Sequence, residues 1–130
     1  MVEAVARPGK SEPLVHHFLE RSAAALPDKT AVVHNGQRVS YGQVNARADA
    51  IAEWLVGIGT VKGDRVVLMM ENGLDYIAGY YGALKAGAAA VPLSPELKAA
   101  AVGPIVSELE PKAVIASKRP EAELKALDPD

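Results

Sequence analysis

Apolar residues recur every three or four positions in three stretches of the chain, a spacing typical of amphipathic helices. The first stretch occupies residues 14–26 and ends at Pro27, because proline cannot continue a helix. The second stretch follows Ser40 and Gln43, which have the spacing of a capping box. We therefore predict that the second helix begins at Tyr41.

Glycines mark the ends of the second and third helices. Gly57 and Gly59 follow the apolar stripe of the second helix, and we expect them to supply the left-handed backbone that ends it. We expect Asn72 and Asp75 to cap the third helix and Gly87 to end it. The apolar stripe of this helix predicts one buried face, made of Leu74, Ile77, Ala78, Tyr81 and Leu84.

Strand signals lie between these helices. Asn35-Gly36 separates two short runs and favours the type I′ turn of a β-hairpin. After Arg65, residues 66–70 are apolar without polar alternation, as in a strand covered on both faces of a parallel sheet. Residues 88–93 and 113–116 form two further apolar runs. The order of these elements predicts an α/β fold: a β-hairpin followed by a mostly parallel βαβαβ sheet with right-handed crossovers.

A fourth helical stretch is expected from Ser94-Pro95-Glu96, which combines a cap, a proline in the first turn and an acid near the positive helix end. Gly103-Pro104 is expected to break it, because an interior proline removes a backbone hydrogen bond and costs about 3 kcal/mol. We therefore predict a separate short helix over residues 104–110.

Composition narrows the class of protein. The chain has 130 residues, of which 49% are apolar, so one globular domain is expected. Its net charge of -2, from 14 basic and 16 acidic residues, gives no basic patch for nucleic acid or an anionic membrane. It lacks cysteine, which leaves the redox compartment undetermined. Residues 1–13 contain no apolar segment of signal-peptide length and no apolar run approaches the ~20 residues of a membrane span, so a cytoplasmic protein is expected. Residues 1–13 and 118–130 are predicted to be a flexible N-terminal tail and a polar C-terminal tail.

Glycine and lysine motifs lack the context of a nucleotide site. Gly57-x-Gly59 could begin a dinucleotide-binding loop, but Lys62 occupies the third glycine position and the loop follows a helix instead of a strand. Lys85 lies near glycines that do not have the order of a P-loop. We interpret the glycine pair as a helix end and Lys85 as a solvated lysine near the negative end of its helix.

The histidines and acids indicate a metal-binding or catalytic site no more strongly than the glycine and lysine motifs indicate a nucleotide site. His16 and His17 point about 100° apart on a helix, so they could not hold one metal ion without further donors, and we expect a surface pair. Asp64, Glu71 and Asp75 flank one strand and could act as paired acids, but helix caps and loop solvation also explain them.

Tyrosines on the third helix are the remaining candidates. Tyr76 and Tyr80 lie four positions apart and share a face, which suits packing against another subdomain as well as a ligand site. For these two residues and Tyr81 we favour packing in a core or interface. We therefore predict no catalytic, cofactor-binding or metal-binding residue in this chain.

Several weak motifs nevertheless occur together in an informative order. They are Val39-Ser40-Tyr41-Gly42-Gln43-Val44-Asn45, Gly63-Asp64-Arg65-Val66, Glu71-Asn72, and the run from Leu84-Lys85-Ala86-Gly87 to Pro92-Leu93. In order and spacing they resemble the opening part of the adenylate-forming enzymes, the AMP-binding acyl-CoA synthetases and their relatives, although Gln43-Val44 stands where Glu-Leu is common. The resemblance implies that residues 14–117 form part of the large N-terminal domain of such an enzyme.

The resemblance also implies a reaction for the complete enzyme. ATP and a carboxylic acid would give an acyl-adenylate and pyrophosphate, and a thiol such as that of CoA would take the acyl group, with ATP, Mg and CoA as cofactors. This reaction needs a Ser/Thr/Gly-rich loop with a lysine, an acid for the ribose, and a lysine on a C-terminal domain. None of them occurs in these 130 residues, so we expect the chain alone to bind no cofactor and to be inactive.

Three functional interpretations stay open at this point. The chain is the N-terminal portion of an acyl-CoA ligase, a fragment of an amino-acid adenylation domain serving a carrier protein, or a non-catalytic structural or interaction module on the same scaffold. Residues 71–76 and 89–94 favour the CoA ligase, since adenylation domains usually have an aromatic before the Val-Pro and an aspartate after the leucine. The expected partner is the remainder of the ligase or a second copy, because the apolar strand needs cover on both faces.

Overall fold

The computed structural model describes residues 14–117 and Lys125. The predicted tails at residues 1–13 and 118–130 lie outside the described residues, apart from Lys125. In chain order the elements of residues 14–117 are α1 (Val15–Ala25), β1 (Thr30–His34), β2 (Gln37–Ser40), α2 (Tyr41–Gly57), β3 (Arg65–Met69), α3 (Leu74–Lys85), β4 (Ala89–Pro92), α4 (Ala99–Leu109) and β5 (Ala113–Ala116).

The hairpin forms where the sequence predicts it. Strands β1 and β2 pair antiparallel, with His34 opposite Gln37. Asn35 and Gly36 both have positive φ, 51° and 76°, which is the conformation that a type I′ turn requires. The predicted turn is confirmed.

The three remaining strands form a parallel sheet in the order β4-β3-β5. This confirms the predicted α/β class. Side chains of the central strand β3 alternate between two apolar layers. Val66 and Leu68 pack with Leu55 of α2 and Ala83 of α3, whereas the side chains facing the other way pack on α4. That second layer contains Val67, Met69 and Val102.

The central strand is therefore better covered than the sequence suggested. Val66, Val67, Leu68 and Met69 are all fully buried by this chain's own helices. The expectation that this strand would lack cover is wrong, because α4 covers the face that α2 and α3 leave open. Exposed apolar surface occurs elsewhere, at Trp54 for example, whose exposed fraction is 52%.

Local capping explains where α2 begins and ends. The Ser40 hydroxyl accepts the Gln43 amide at 3.2 Å, and Gln43 Oε1 accepts the Ser40 amide at 2.9 Å, so the predicted capping box is confirmed. At the other end Gly59 has φ 91°, and the Gly59 and Thr60 amides donate to Val56 and Leu55. This is a Schellman motif. The role predicted for Gly57 is wrong, because one left-handed residue completes the motif and Gly57 stays in the last helical turn.

Helix α3 begins differently from the prediction. Its N-cap is Gly73, with φ 153° and no side-chain hydrogen bond, so neither Asn72 nor Asp75 caps it. Asp75 lies in the first turn instead, where its charge favours the positive helix end. The predicted end at Gly87 is confirmed by φ 84° there. The amides of Gly87 and the following residue donate to carbonyls of the last turn, again as in a Schellman motif.

Small residues form the buried face of α3, which lies between α2 and the sheet. Of the predicted stripe only Ala78 is fully buried, and the other buried positions are Gly79, Gly82 and Ala83. A Cβ added at Gly82 would lie 2.7 Å from Ile51 Cγ2, so the glycine allows the two helices to approach closely. The larger residues of the stripe lie at the edges of this contact.

Helix α4 is continuous through Pro104, contrary to the two short helices that we predicted. It also starts later than Ser94, at Ala99, after a turn at residues 95–96. The residue before Pro104 is glycine, which lacks the Cβ that would collide with the proline ring. Pro104 itself is exposed, so water can hydrate the carbonyl that loses its partner. Val102 and Val106, on opposite sides of the proline in sequence, both pack on the sheet and keep the helix in register.

Candidate functional site

Lys85 lies at the junction of three helices. Its ammonium is 2.8 Å from Glu20 Oε2 on α1 and 2.7 Å from Asp49 Oδ1 on α2, and only 7% of its side chain is exposed. The prediction of a solvated lysine is wrong, because α1 and α2 cross the last turn of α3. No local pattern identifies these partners, which are 65 and 36 positions away in sequence.

The charges of this junction stabilise one another. Burial lowers the pKa of Lys85, but hydrogen bonds to Asp49 and Glu20 outweigh it, and the net pKa is raised. The hydrogen bond from Lys85 lowers the pKa of Glu20 against a smaller opposing effect of burial. Both groups are therefore ionised at neutral pH. A protonated lysine held by two carboxylates is neither a base nor a nucleophile, so we assign it a structural role.

In the structure Glu20 lies close to His16 and His17 as a third possible metal ligand. The ligating atoms of His16, His17 and Glu20 all lie within 4.8 Å of one another. However, His17 Nδ1 accepts the Leu14 amide at 3.0 Å, which places the proton of the neutral ring on Nε2. Glu20 is already bound to Lys85. Two of the three possible metal ligands, His17 and Glu20, are thus already engaged. The geometry therefore supports a role of His17 at the start of α1 more strongly than a metal site.

Two of the acids considered from the sequence lie at opposite ends of β3. Asp64 precedes β3 and Glu71 follows it, so the length of a five-residue strand, about 16 Å, separates them. Asp64 Oδ2 accepts the Val61 amide at 2.8 Å, and Asp75 pairs with Arg47 at 2.7 Å. Asp64 and Asp75 thus each have a structural partner, and Asp64 and Glu71 form no acid pair.

The tyrosines of α3 pack in the interior. Tyr80 packs against the cluster around Leu55, and Tyr81 against a second cluster that contains Val44. Their rings meet edge to face with centroids 5.6 Å apart. The predicted packing role therefore holds for Tyr80 and Tyr81.

A wide apolar cleft of about 1160 Å³ lies beside β5. Strand β5 contributes Val114, Ile115 and Ala116, and α2 contributes Ile51 and Trp54. Arginine and glutamine side chains from β2 and α2 also line it. We call this surface the β5 cleft. The sequence shows no sign of it, because its walls come from segments far apart in the chain.

The glycines and the lysine considered as nucleotide-binding residues do not lie where such a site would need them. Within residues 14–117 the loops that follow β3 and β4 contain no Ser/Thr/Gly-rich segment with a lysine. The buried lysine is held by two carboxylates, and Gly59 and Gly63 lie in the loop before β3, at the amino end of the strand. Nucleotides bind at the carboxyl ends of the strands in sheets of this kind. No catalytic step can be derived from these residues.

Comparison with known proteins identifies the family to which the chain belongs. A family model described as AMP-binding enzyme matches residues 19–130. The chain belongs to this family. The resemblance drawn from the weak motifs is thereby confirmed. Within residues 14–117 no helix has both the length and the apolar content to cross a membrane.

Relatives in the AMP-binding family fall into two groups. The chain is 44% identical over 100 residues to long-chain-fatty-acid–CoA ligase FadD13 of Mycobacterium tuberculosis, covering 75% of this chain and 20% of the ligase. It is 38% identical over 91 residues to surfactin synthase subunit 1 of Bacillus subtilis, covering 70% of this chain and 2% of the synthase. This chain therefore spans a fifth or less of these two relatives.

A solved structure in the family shows the same fold. The N-terminal domain of FACL13 from Mycobacterium tuberculosis superposes with a TM-score of 0.83 at 34% identity. The match covers 88% of this chain and 30% of that one. The fold described above is thus part of the N-terminal domain of an adenylate-forming enzyme.

Proposed function

We propose that this chain is the N-terminal portion of an AMP-forming acyl-CoA ligase. In the complete protein, ATP and a carboxylic acid would form an acyl-adenylate and release pyrophosphate, and CoA would then take the acyl group as a thioester. ATP, Mg and CoA are the cofactors proposed for that protein, and a cytoplasmic location is proposed for it. The chain itself contributes scaffold and, alone, no activity.

The family match over residues 19–130 is the observation that carries this proposal. The choice of a CoA ligase is supported by the 44% identity to FadD13, against 38% to surfactin synthase subunit 1. It is also supported by Ala90 before Val91-Pro92 and by Ser94 after Leu93, where adenylation domains usually have an aromatic residue and an aspartate.

The scaffold role follows from what the described side chains do. Glu20, Asp49 and Lys85 tie α1, α2 and α3 together, and α2 and α3 cover one face of the sheet. The buried β3 fixes the positions of β4 and β5 on either side. In open α/β sheets, ligands bind beyond the carboxyl ends of such strands. A rigid frame of this kind can hold reactive loops supplied by other parts of an enzyme.

A chimeric ligase tests the proposal. The segment of FadD13 that matches this chain would be replaced by residues 14–117, and acyl-CoA formation from a long-chain fatty acid would be measured. We expect the chimera to keep its activity within about tenfold of the parent, because a scaffold segment contributes little directly to the transition state. The control chimera would carry the matching segment of surfactin synthase subunit 1. A folded but inactive chimera would contradict the scaffold role, and equal activity of both chimeras would remove support for the CoA-ligase class.

The amino-acid adenylation domain is the second candidate, favoured by the match to surfactin synthase subunit 1. A non-catalytic module on the same scaffold is the third interpretation. Exchange of labelled pyrophosphate into ATP tests whether the chain is active alone, which neither an adenylation-domain fragment nor a non-catalytic module would be. We expect the purified 130-residue chain to show no exchange with fatty acids or amino acids, and clear exchange above a no-enzyme control would overturn the scaffold proposal.

A further inference from the structure

Helices α1 and α2 begin with the same backbone contact, made by different side chains. In α2, Gln43 Oε1 accepts the Ser40 amide at 2.9 Å. In α1, His17 Nδ1 accepts the Leu14 amide at 3.0 Å. In both helices the accepting side chain belongs to the third helical residue, and the amide belongs to the residue that precedes the helix. Glutamine carries no charge, whereas histidine takes up a proton near its ordinary pKa of about 6.5.

Protonation of His17 removes the contact at the start of α1. A protonated imidazole carries a hydrogen on both nitrogens, so Nδ1 can no longer accept the Leu14 amide. Helix α2 has a second cap in the Ser40 hydroxyl, but the Leu14 side chain makes no capping hydrogen bond. The first turn of α1 also lacks an acidic residue, and a positive charge at this end of a helix opposes the helix dipole. The start of α1 therefore depends on a neutral His17.

His16 reinforces this dependence on pH. Its ring lies edge to face with that of His17, with the centroids 4.5 Å apart. Burial lowers the pKa of His16, His17 and Lys85 lower it further, and the opposing effect of Glu20 is smaller. The docked helix therefore binds this proton less readily than a released helix would, and docking weakens as the pH falls below about 6.5. The charged side chains around the two histidines are Glu20 and Arg21 of α1, Asp49 and Glu53 of α2, and Lys85 of α3.

The nearby carboxylates are already used by another cation. Glu20 Oε2 and Asp49 Oδ1 lie 2.8 Å and 2.7 Å from the Lys85 ammonium. A protonated His16 would compete with Lys85 for Glu20 and weaken the bond that holds α1 to α3. Arg21 lies four positions after His17 and would repel its added charge.

We propose that the His16-His17 pair makes the start of α1 a pH-sensitive switch. At neutral pH the helix is capped and docked on α2 and α3, and in mildly acidic solution it loosens. Leu19 of α1 packs in the cluster that contains Val44 and Ala48 of α2. Loosening of α1 therefore uncovers apolar surface of α2 at a pH at which glutamate and aspartate are still ionised.

Hydrogen exchange of the full 130-residue chain tests the switch. Protection factors, corrected for the intrinsic exchange rate, would be measured at about pH 7.5 and about pH 5.5. A state that must keep one histidine neutral one pH unit below its ordinary pKa is disfavoured by up to about tenfold. We expect the protection of Val15–Ala25 to fall by about threefold to tenfold in acid, and that of the first turns of α2 to hold.

Exchange of the two capping side chains provides matched variants. His17→Gln places in α1 the residue that caps α2, so the acid response of α1 should disappear while its protection at neutral pH stays. Gln43→His should create an acid response at the start of α2, smaller than that of α1 because the Ser40 hydroxyl remains as a cap. His16→Gln should reduce the response of α1. His34→Gln, in β1, removes the third histidine and should leave that response unchanged.

Each outcome decides for or against the switch. A loss of protection in α1 that His17→Gln removes and His34→Gln preserves supports the proposal. Equal protection of wild-type α1 at both pH values overturns it, and so does a loss that persists in His17→Gln. A loss shared equally by α1 and α2 overturns it too, because it would be a general effect of acid. If circular dichroism shows that His17→Gln does not fold, Gln43→His decides, and no acid response at the start of α2 would then overturn the proposal.

Discussion

A close contact between α2 and α3 depends on Gly82. A Cβ at this position would lie 2.7 Å from Ile51 Cγ2, 2.8 Å from Ile51 Cβ and 3.0 Å from the Ala48 carbonyl oxygen. Ile51 is β-branched and therefore stiff at χ1, and the carbonyl belongs to the backbone of α2. Neither can move away without shifting the helix. We therefore expect Gly82→Ala to push α2 and α3 apart.

The net cost follows from two opposing effects. Extra methyl groups in a well-packed interior typically cost about 1–3 kcal/mol. Replacing glycine by alanine within a helix recovers up to about 1 kcal/mol of helix propensity. The difference is about 0–2 kcal/mol. Because one of the contacts is with the backbone of α2, we expect the upper part of this range, a fall of about 1–2 kcal/mol in the free energy of unfolding. Gly57→Ala is the matched control, since a Cβ at Gly57 would have no neighbour within 4 Å and Gly57 is also helical.

Urea unfolding monitored by circular dichroism can measure these changes. We expect the Gly82→Ala midpoint to fall by about 1 M for a slope near 1.5 kcal/mol/M, while Gly57→Ala holds or raises the midpoint. Truncation of Ile51 to alanine should make room, so Gly82→Ala should cost less in the Ile51→Ala background. A Gly82→Ala variant as stable as the Gly57→Ala variant would refute the close-contact reasoning.

Three further predictions concern the ion pairs and the helix caps. Lys85→Met should lower the free energy of unfolding by about 1–2 kcal/mol, between the values for exposed and buried pairs, because Glu20 and Asp49 stay partly hydrated. Arg47→Met, which removes an exposed pair, should cost under about 1 kcal/mol in the same denaturant titration. The pKa of Glu20 is lowered by folding, so its contribution to stability is present above the ordinary glutamate pKa and is lost as pH falls through the lowered value. The stabilities of wild type and Glu20→Gln should therefore converge as the pH falls through this lowered pKa, and parallel stability curves would count against the pairing. Ser40→Ala should cost about 1 kcal/mol in thermal unfolding, and Ser107→Ala, at an exposed position of α4, should stay within about 0.5 kcal/mol.

Features set by a few neighbouring residues were predictable from the sequence. The turn at Asn35-Gly36 needs only two residues that tolerate positive φ. The capping box needs only Ser40 and Gln43. Gly87 ends α3 because glycine adopts the left-handed conformation without a Cβ penalty. These signals are local, so the surrounding fold does not change their meaning.

Features that depend on distant segments were not predictable. Lys85 finds its carboxylates on two other helices, and no pattern within its own helix indicates them. Helix α4 continues through Pro104 because burial of Val102 and Val106 on the sheet outweighs the lost hydrogen bond. The β5 cleft likewise arises only when β2, α2 and β5 come together.

Several polar side chains that could suggest chemistry in the sequence have structural uses in the fold. Among residues 14–117, Lys85 joins three helices, Asp64 fixes the loop before β3, and Ser40 caps α2. Residues 66–69 of β3 are fully buried, whereas β5 lies at one edge of the described sheet and is only partly buried. Because burial of apolar surface is the main stabilising contribution, the side chains that stabilise the sheet most lie on its central strand.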